Sequence, residues 1–145
     1  MRIVFVDALY WIAIVNPNDQ WYHLAIQARK SLGEKVILTT TDEVLTEFLN
    51  GLSKYGEYYR NQAVKMVREI LCNPNVQVIP QSRDSFLKGI ESYAQRLDKN
   101  YSLVDCISMN TMRSRSISEA LTHDIHFEQE GYQRLITQPE SGKLL

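Results

Sequence analysis

Four acidic residues fall at positions where an alternating chain would do chemistry. Asp7 directly follows the apolar run Arg2–Val6 (RIVFV), and Asp124 comes three residues after Leu121. Asp105 lies in the first turn of a helix that Ser102 opens, among Leu103, Val104 and Ile107, so its charge is not on a freely solvated face. Glu47 sits roughly 60° around its helix from Val44, on the border of an apolar stripe. If the four converge, repulsion decides their chemistry: two carboxylates about 4 Å apart repel by roughly 4 kcal/mol at an effective dielectric near 20. Such a cluster takes up protons or binds a cation. An all-oxygen ligand set favours Mg²⁺ or Mn²⁺, ions that keep several waters and bind phosphates, which suits phosphodiester hydrolysis.

Taken singly, each acid has a plain structural explanation. An Asp after a strand is usually a helix cap, Glu47 a boundary residue and Asp124 a loop residue. Asp105 fits such an account worst, because its neighbours are apolar. The joint arrangement points to a site.

The elements that must position these acids alternate. Short apolar runs at Arg2–Val6, Val36–Thr39 and Val76–Ile79 read as buried strands, with weaker candidates at Ile117–Leu121 and Gln133–Ile136. Between them run helical patterns. Ala8–Val15 stops at Asn16-Pro17-Asn18, and Asp19 caps a helix that ends before Gly33. Thr41 or Asp42 caps a helix to about Leu52, and a polar bend, Ser53–Arg60, leads into a helix carrying Ala63, Val67, Ile70 and Leu71. Ser82 caps a helix to about Leu97, and Ser102 one through Met112. The pattern predicts an α/β fold: a parallel β-sheet of four to five strands flanked by helices on both faces. Ligands of such sheets sit at the carboxyl ends of the strands, where the acids are. Residues 1–136 read as one domain and Thr137–Leu145 as a frayed tail.

Composition agrees. The chain has 145 residues, a net charge of −1 and 44% hydrophobic content, which excludes a disordered or polybasic binder. Cys72 and Cys106 form no CxxC or zinc spacing and read as two buried free thiols. The apolar N-terminus is broken by Asp7, is too short to span a bilayer and lacks a signal peptide's flanks. The expectation is a cytoplasmic protein with no membrane contact.

The pieces RIVFVD with Asp7, DEVLTEFLNGL with Glu47, SLVDCISMNTM with Asp105 and EALTHDIHF with Asp124 and Phe127 together resemble the PIN-domain ribonucleases, small metal-dependent nucleases that include many bacterial toxin subunits. The resemblance runs to about Leu135. It implies an acidic pocket holding Mg²⁺ or Mn²⁺, with Asp7 and Asp105 as principal ligands and Glu47 and Asp124 completing the cluster. It implies an RNA substrate cut to a 5′-phosphate and a 3′-hydroxyl, and, for the toxin subunits, an antitoxin protein as partner. Thr122 occupies a position often filled by a hydroxyl residue that orients water. Family members often carry Thr or Ser after the first Asp, whereas here Ala8 follows Asp7.

Other features are less specific. His123 and His126 flank Asp124, but with no third His or Cys nearby they do not make a zinc site and read as surface or phosphate-facing histidines. The bend containing Tyr59 and Arg60 interleaves aromatic and basic groups, as single-strand binders do; a helix–helix corner is the favoured reading. Arg113 and Arg115 could attract RNA or complement their helix dipole. The tyrosine-rich bend and the helices around it suggest a homodimer with two pockets open to one groove. A receiver domain and a haloacid-dehalogenase-like phosphatase are excluded, since Asp7-Ala8-Leu9 offers neither a paired acid nor Asp-x-Asp. The remaining alternative is a catalytically weak PIN-like module that binds RNA or protein.

Overall fold

The computed structural model describes residues 1–138. Its elements run β1 (Arg2–Val6), α1 (Ala8–Val15), α2 (Tyr22–Leu32), β2 (Val36–Thr41), α3 (Asp42–Leu52), α4 (Glu57–Cys72), β3 (Val76–Ile79), α5 (Arg83–Gln95), α6 (Leu103–Ser114), β4 (Glu119–Leu121), α7 (Ile125–Gln129) and β5 (Gln133–Arg134), with a 3₁₀ turn at Ser53–Tyr55. The five strands are all parallel, in the order β3-β2-β1-β4-β5. The expected α/β architecture is the one observed.

Val4, Phe5 and Val6 in β1 are all fully buried. Successive strand residues point to opposite faces, so both faces of the central strand are covered, as an all-parallel sheet requires. The chain steps outward from β1 to β2 and β3, then returns to place β4 on the other side of β1. That reversal opens a crevice at the carboxyl ends of β1 and β4, where ligands of open α/β sheets bind. The Asp7 N–H donates to the Leu121 carbonyl at 3.2 Å, which holds the two strand ends together. At the opposite end Arg2 grips Glu119 with two bonds, of 3.0 and 2.7 Å.

The strand β2 ends on three fully buried threonines, Thr39, Thr40 and Thr41. The Thr40 hydroxyl donates to the Val6 carbonyl at 2.9 Å, and the Thr41 hydroxyl accepts the Val44 N–H at 3.1 Å, capping α3. Of the two expected caps, Thr41 is the one used.

Several boundaries differ from expectation. The polar bend ends at Gly56, so Tyr58, Tyr59 and Arg60 lie in the first turn of α4. Cys72 is exposed at the end of that helix, correcting its expected burial; Cys106 is buried as expected. Asp19 does not cap α2 directly: its carboxylate accepts the Trp21 N–H at 2.8 Å in a turn before the helix. The short α7 was not foreseen. Of the segment expected to fray, residues 139–145 lie outside the described residues. Among the described residues no helix is long and apolar enough to cross a membrane.

Candidate metal centre

The four acids come from four different elements that meet at the crevice. Asp7 immediately follows β1 and precedes α1 without capping it through its side chain. Asp124 precedes α7 and caps it, its Oδ1 accepting the His126 N–H at 2.9 Å. Asp105 is the third residue of α6, in a reciprocal capping box with Ser102. The Ser102 hydroxyl accepts the Asp105 N–H at 3.0 Å, and Asp105 Oδ2 accepts the Ser102 N–H at 3.1 Å. Both readings of Asp105 therefore hold at once: it is a helix-terminus acid and a buried pocket acid. Glu47 reaches in half-buried from the second turn of α3.

A continuous set of hydrogen bonds links the first strand to the sixth helix. The Thr122 hydroxyl donates to Asp7 Oδ2 at 2.8 Å and accepts the Asp124 N–H at 3.1 Å. Thr122, fully buried, thus spends both bonds on protein and fixes Asp7 against Asp124. It supplies, from the residue after β4, the hydroxyl partner that Ala8 does not. His126 Nδ1 lies 3.1 Å from Asp105 Oδ2 and 3.4 Å from Asp124 Oδ1.

The electrostatics are those of crowded acids. Burial pushes the Asp7 carboxyl up to about 7; the Thr122 hydrogen bond pulls it down, while the charges of Glu47 and Asp105 add to the rise. Glu47 is also raised, first by burial and then by the charges of Asp105 and Asp124. Each of the four acids is therefore close enough to another for its charge to be felt. Burial lowers His123, whose ring stacks on Trp21 at 4.1 Å and 6°.

One atom each from Asp105, Asp124 and His126 lies within 4.8 Å of the others. An octahedral ion with ligands at about 2.1 Å spans roughly 4.2 Å between opposite ligands, so the three fit one ion with slight contraction. Asp7, joined to Asp124 through Thr122, and Glu47 are the further carboxylates beside them. The residues present fit a divalent cation.

Sequence reasoning read His126 as a surface or phosphate-facing residue; the structure half-buries it between two carboxylates. The legible signal was its place two residues after a capping Asp, where a helix's first turn carries the side chain back beside the cap. Tyr101 supports it edge-on at 5.0 Å. Tyr101 in turn donates to Glu130 at 3.0 Å, and Arg96 holds Glu130 at 2.6 Å.

The four residues singled out as substrate contacts are not in this pocket. Arg113 and Arg115 are exposed at the far end of α6, roughly 12–15 Å along the helix from Asp105. Arg113 donates to Asn110 at 3.0 Å. Tyr59 donates to Asn16 at 3.3 Å, and Arg60 to the Ser53 carbonyl at 3.1 Å, where α3 turns into α4.

Solved structures share the fold. VapC20 of Mycobacterium tuberculosis, a Sarcin-Ricin loop cleaving toxin, superimposes with a TM-score of 0.80 at 24% identity, over 94% of this chain and 99% of that one. DNA-bound VapBC from Salmonella typhimurium gives 0.63 at 14% identity, over 92% and 97%. A toxin–antitoxin complex from Klebsiella pneumoniae gives 0.55 at 18% identity, over 84% and 87%. No curated protein sequence matches the chain. The sequence model of the PIN domain matches residues 4–130, a span that contains all four acids, and the chain belongs to the PIN domain family.

Proposed function

We propose that this protein is a ribonuclease dependent on Mg²⁺ or Mn²⁺, hydrolysing RNA phosphodiester bonds at Asp7, Glu47, Asp105 and Asp124, and that it is the toxin of a toxin–antitoxin pair. The observation that carries the reading is the crowding of these acids at the β1–β4 crevice, where burial and neighbouring charge hold the Asp7 carboxyl near 7. A set of acids that crowded favours a cation as its partner. Membership of the PIN family and the likeness to VapC20 support RNA as the substrate class. The likeness to toxin–antitoxin complexes supports an antitoxin partner.

When bound, the ion supplies a polarised phosphodiester and a more acidic attacking water. Asp105 and Asp124, fixed by Ser102 and by the first turn of α7, would present the carboxylates that hold it. Asp7, positioned by Thr122, would add a further carboxylate oxygen. Glu47, half-buried with a raised pKa, accepts the proton of the attacking water. Attack in line on phosphorus expels the 3′-oxygen, which takes a proton from solvent, and leaves a 5′-phosphate and a 3′-hydroxyl. Arg113, Arg115, Arg60 and Tyr59 are left only with phosphates or bases distant from the scissile bond. An RNA substrate fits the reading of a cytoplasmic protein, and the exposed apolar faces support a homodimer.

Labelled RNA incubated with Mg²⁺, Mn²⁺ or EDTA tests the reading. Cleavage with either metal and none in EDTA is expected. Undiminished cleavage in EDTA overturns the metal requirement. RNA binding without cleavage in either metal assigns the chain to the weak binding modules.

A further inference from the structure

The pocket is not the all-oxygen site that four acids describe. His126 Nδ1 is wedged between the two carboxylates best placed to hold an ion, 3.1 Å from Asp105 and 3.4 Å from Asp124. These three residues have one ligand atom each within 4.8 Å of one another. We propose that His126 Nδ1 is a direct ligand of the metal, so that the site takes one nitrogen beside its oxygens and selects Mn²⁺ over Mg²⁺.

Three observations carry this. The first is position. Nδ1 has carboxylate oxygens on two sides, one from Asp105 at 3.1 Å and one from Asp124 at 3.4 Å. A cation drawn to the same two carboxylates would meet this nitrogen at ligand distance. As a ligand the imidazole would offer the Nδ1 lone pair to the ion and carry its ring proton on Nε2.

The second is rigidity. The His126 backbone N–H is bonded to Asp124 Oδ1 at 2.9 Å, Phe127 beside it is fully buried, and the Tyr101 ring meets the imidazole edge-on at 5.0 Å. Tyr101 is itself held by Glu130 and Arg96. A ligand fixed by its surroundings loses little freedom on binding.

The third is chemistry. Mg²⁺ is hard, demands oxygen and retains its waters, whereas first-row transition ions take imidazole readily. A mixed set of carboxylates with one imidazole therefore discriminates between the two ions that an all-carboxylate pocket would accept alike.

The inference rests on the metal reading above, and one experiment separates the two. Mn²⁺ is titrated into the apo-protein by electron paramagnetic resonance, and the loaded protein is measured by electron spin-echo envelope modulation. The chain has three histidines, and all are labelled with ¹⁵N in a parallel sample. The expected result is tight Mn²⁺ uptake with ¹⁴N modulation that changes to the ¹⁵N pattern on labelling. In His126→Gln the modulation disappears and the Mn²⁺:Mg²⁺ affinity ratio falls about tenfold or more; in His123→Phe both persist. Bound Mn²⁺ with no histidine nitrogen in its wild-type spectrum overturns the inference while leaving the metal site standing, and His126 then only steadies the carboxylates through its N–H. Absence of Mn²⁺ binding overturns both. The labelled wild type decides the matter even where a variant fails to fold.

Discussion

At the scale of single residues, the acids hold more charge than their burial favours. Asp7 is 3% exposed and titrates near 7, against an ordinary 3.8. A carboxyl whose folded pKa is raised binds its proton more tightly when folded. Between about pH 4 and 7 the native state therefore carries more protons than the unfolded chain, and stability falls as pH rises. Apo-protein in EDTA is expected to be more stable at pH 5 than at pH 8 by up to about 3 kcal/mol from this group. Asp7→Asn should flatten that slope. Urea unfolding at the two pH values checks it, and a wild type more stable at pH 8 refutes it. Asp105→Asn is expected to abolish cleavage yet leave EDTA stability unchanged or higher. The amide oxygen can still accept the Ser102 N–H, so the capping box survives while one charge leaves the cluster. A variant that melts several degrees lower, or that cleaves at the wild-type rate, contradicts the assignment. Thr122→Val removes the hydroxyl joining Asp7 to Asp124 and leaves buried partners unpaired. A loss of about 1–3 kcal/mol is expected, together with a lower cleavage rate, measured on the same samples.

At the scale of elements, the site depends on how closely α5 lies against α6. A Cβ on Gly89 would sit 2.6 Å from Ile107 Cγ1 and 3.2 Å from Leu103 Cδ1, both on the helix whose first turn presents Asp105. Gly89→Ala gains about 1 kcal/mol of helix propensity but overpacks the contact by roughly 1–3 kcal/mol. The variant is expected to melt a few degrees lower and to cleave more slowly, because α6 must move. Melting at or above the wild-type temperature would show that the contact relaxes freely. Such close approaches are invisible in a single sequence, whereas the strands were legible because RIVFV and VILT are short, β-branched and buried on both sides. The helix caps Thr41, Ser82 and Ser102 were legible for a related reason: their bonds are local. What was not legible follows the same division. The start of α4 was hidden because Tyr58 and Tyr59 carry no amphipathic period, and α7 is too short for one. At the site, Asp7 and Asp105 stood out by apolar context. His126 did not, since its meaning lies in Asp105, 21 residues away in the chain. Arg113 and Arg115 lie at the far end of the helix that carries Asp105, a separation that adjacency in sequence does not reveal.

For the whole molecule, the unanswered question is what covers its exposed apolar surface. The sequence pointed to the tyrosine-rich corner, and Tyr55 and Tyr58 are indeed 58% and 62% exposed. Tyr59, however, is half-buried and tied to Asn16, which leaves two rings facing outward, one of them near Lys54. A larger aliphatic face runs along α5. Phe86, Leu87, Ile90 and Tyr93 recur at helical spacing along α5, and Leu87 and Ile90 are 50% and 43% exposed. Contiguous apolar area of this type marks an interaction surface, and aliphatic and aromatic side chains together make a buried interface core. Between the two faces, α5 offers the greater hydrophobic gain, because tyrosine hydroxyls must also find partners when covered. The expected assembly is therefore a homodimer through α5, at micromolar concentration and independent of metal. Since α5 packs on α6, such a contact would also brace the helix that carries Asp105. Light scattering on wild type should give the mass of two chains. Leu87→Ser with Ile90→Ser should give one, and Tyr55→Ser with Tyr58→Ser should leave two. A wild-type mass of one chain refutes the dimer, whereas dissociation by the tyrosine pair alone returns the interface to the α3–α4 corner.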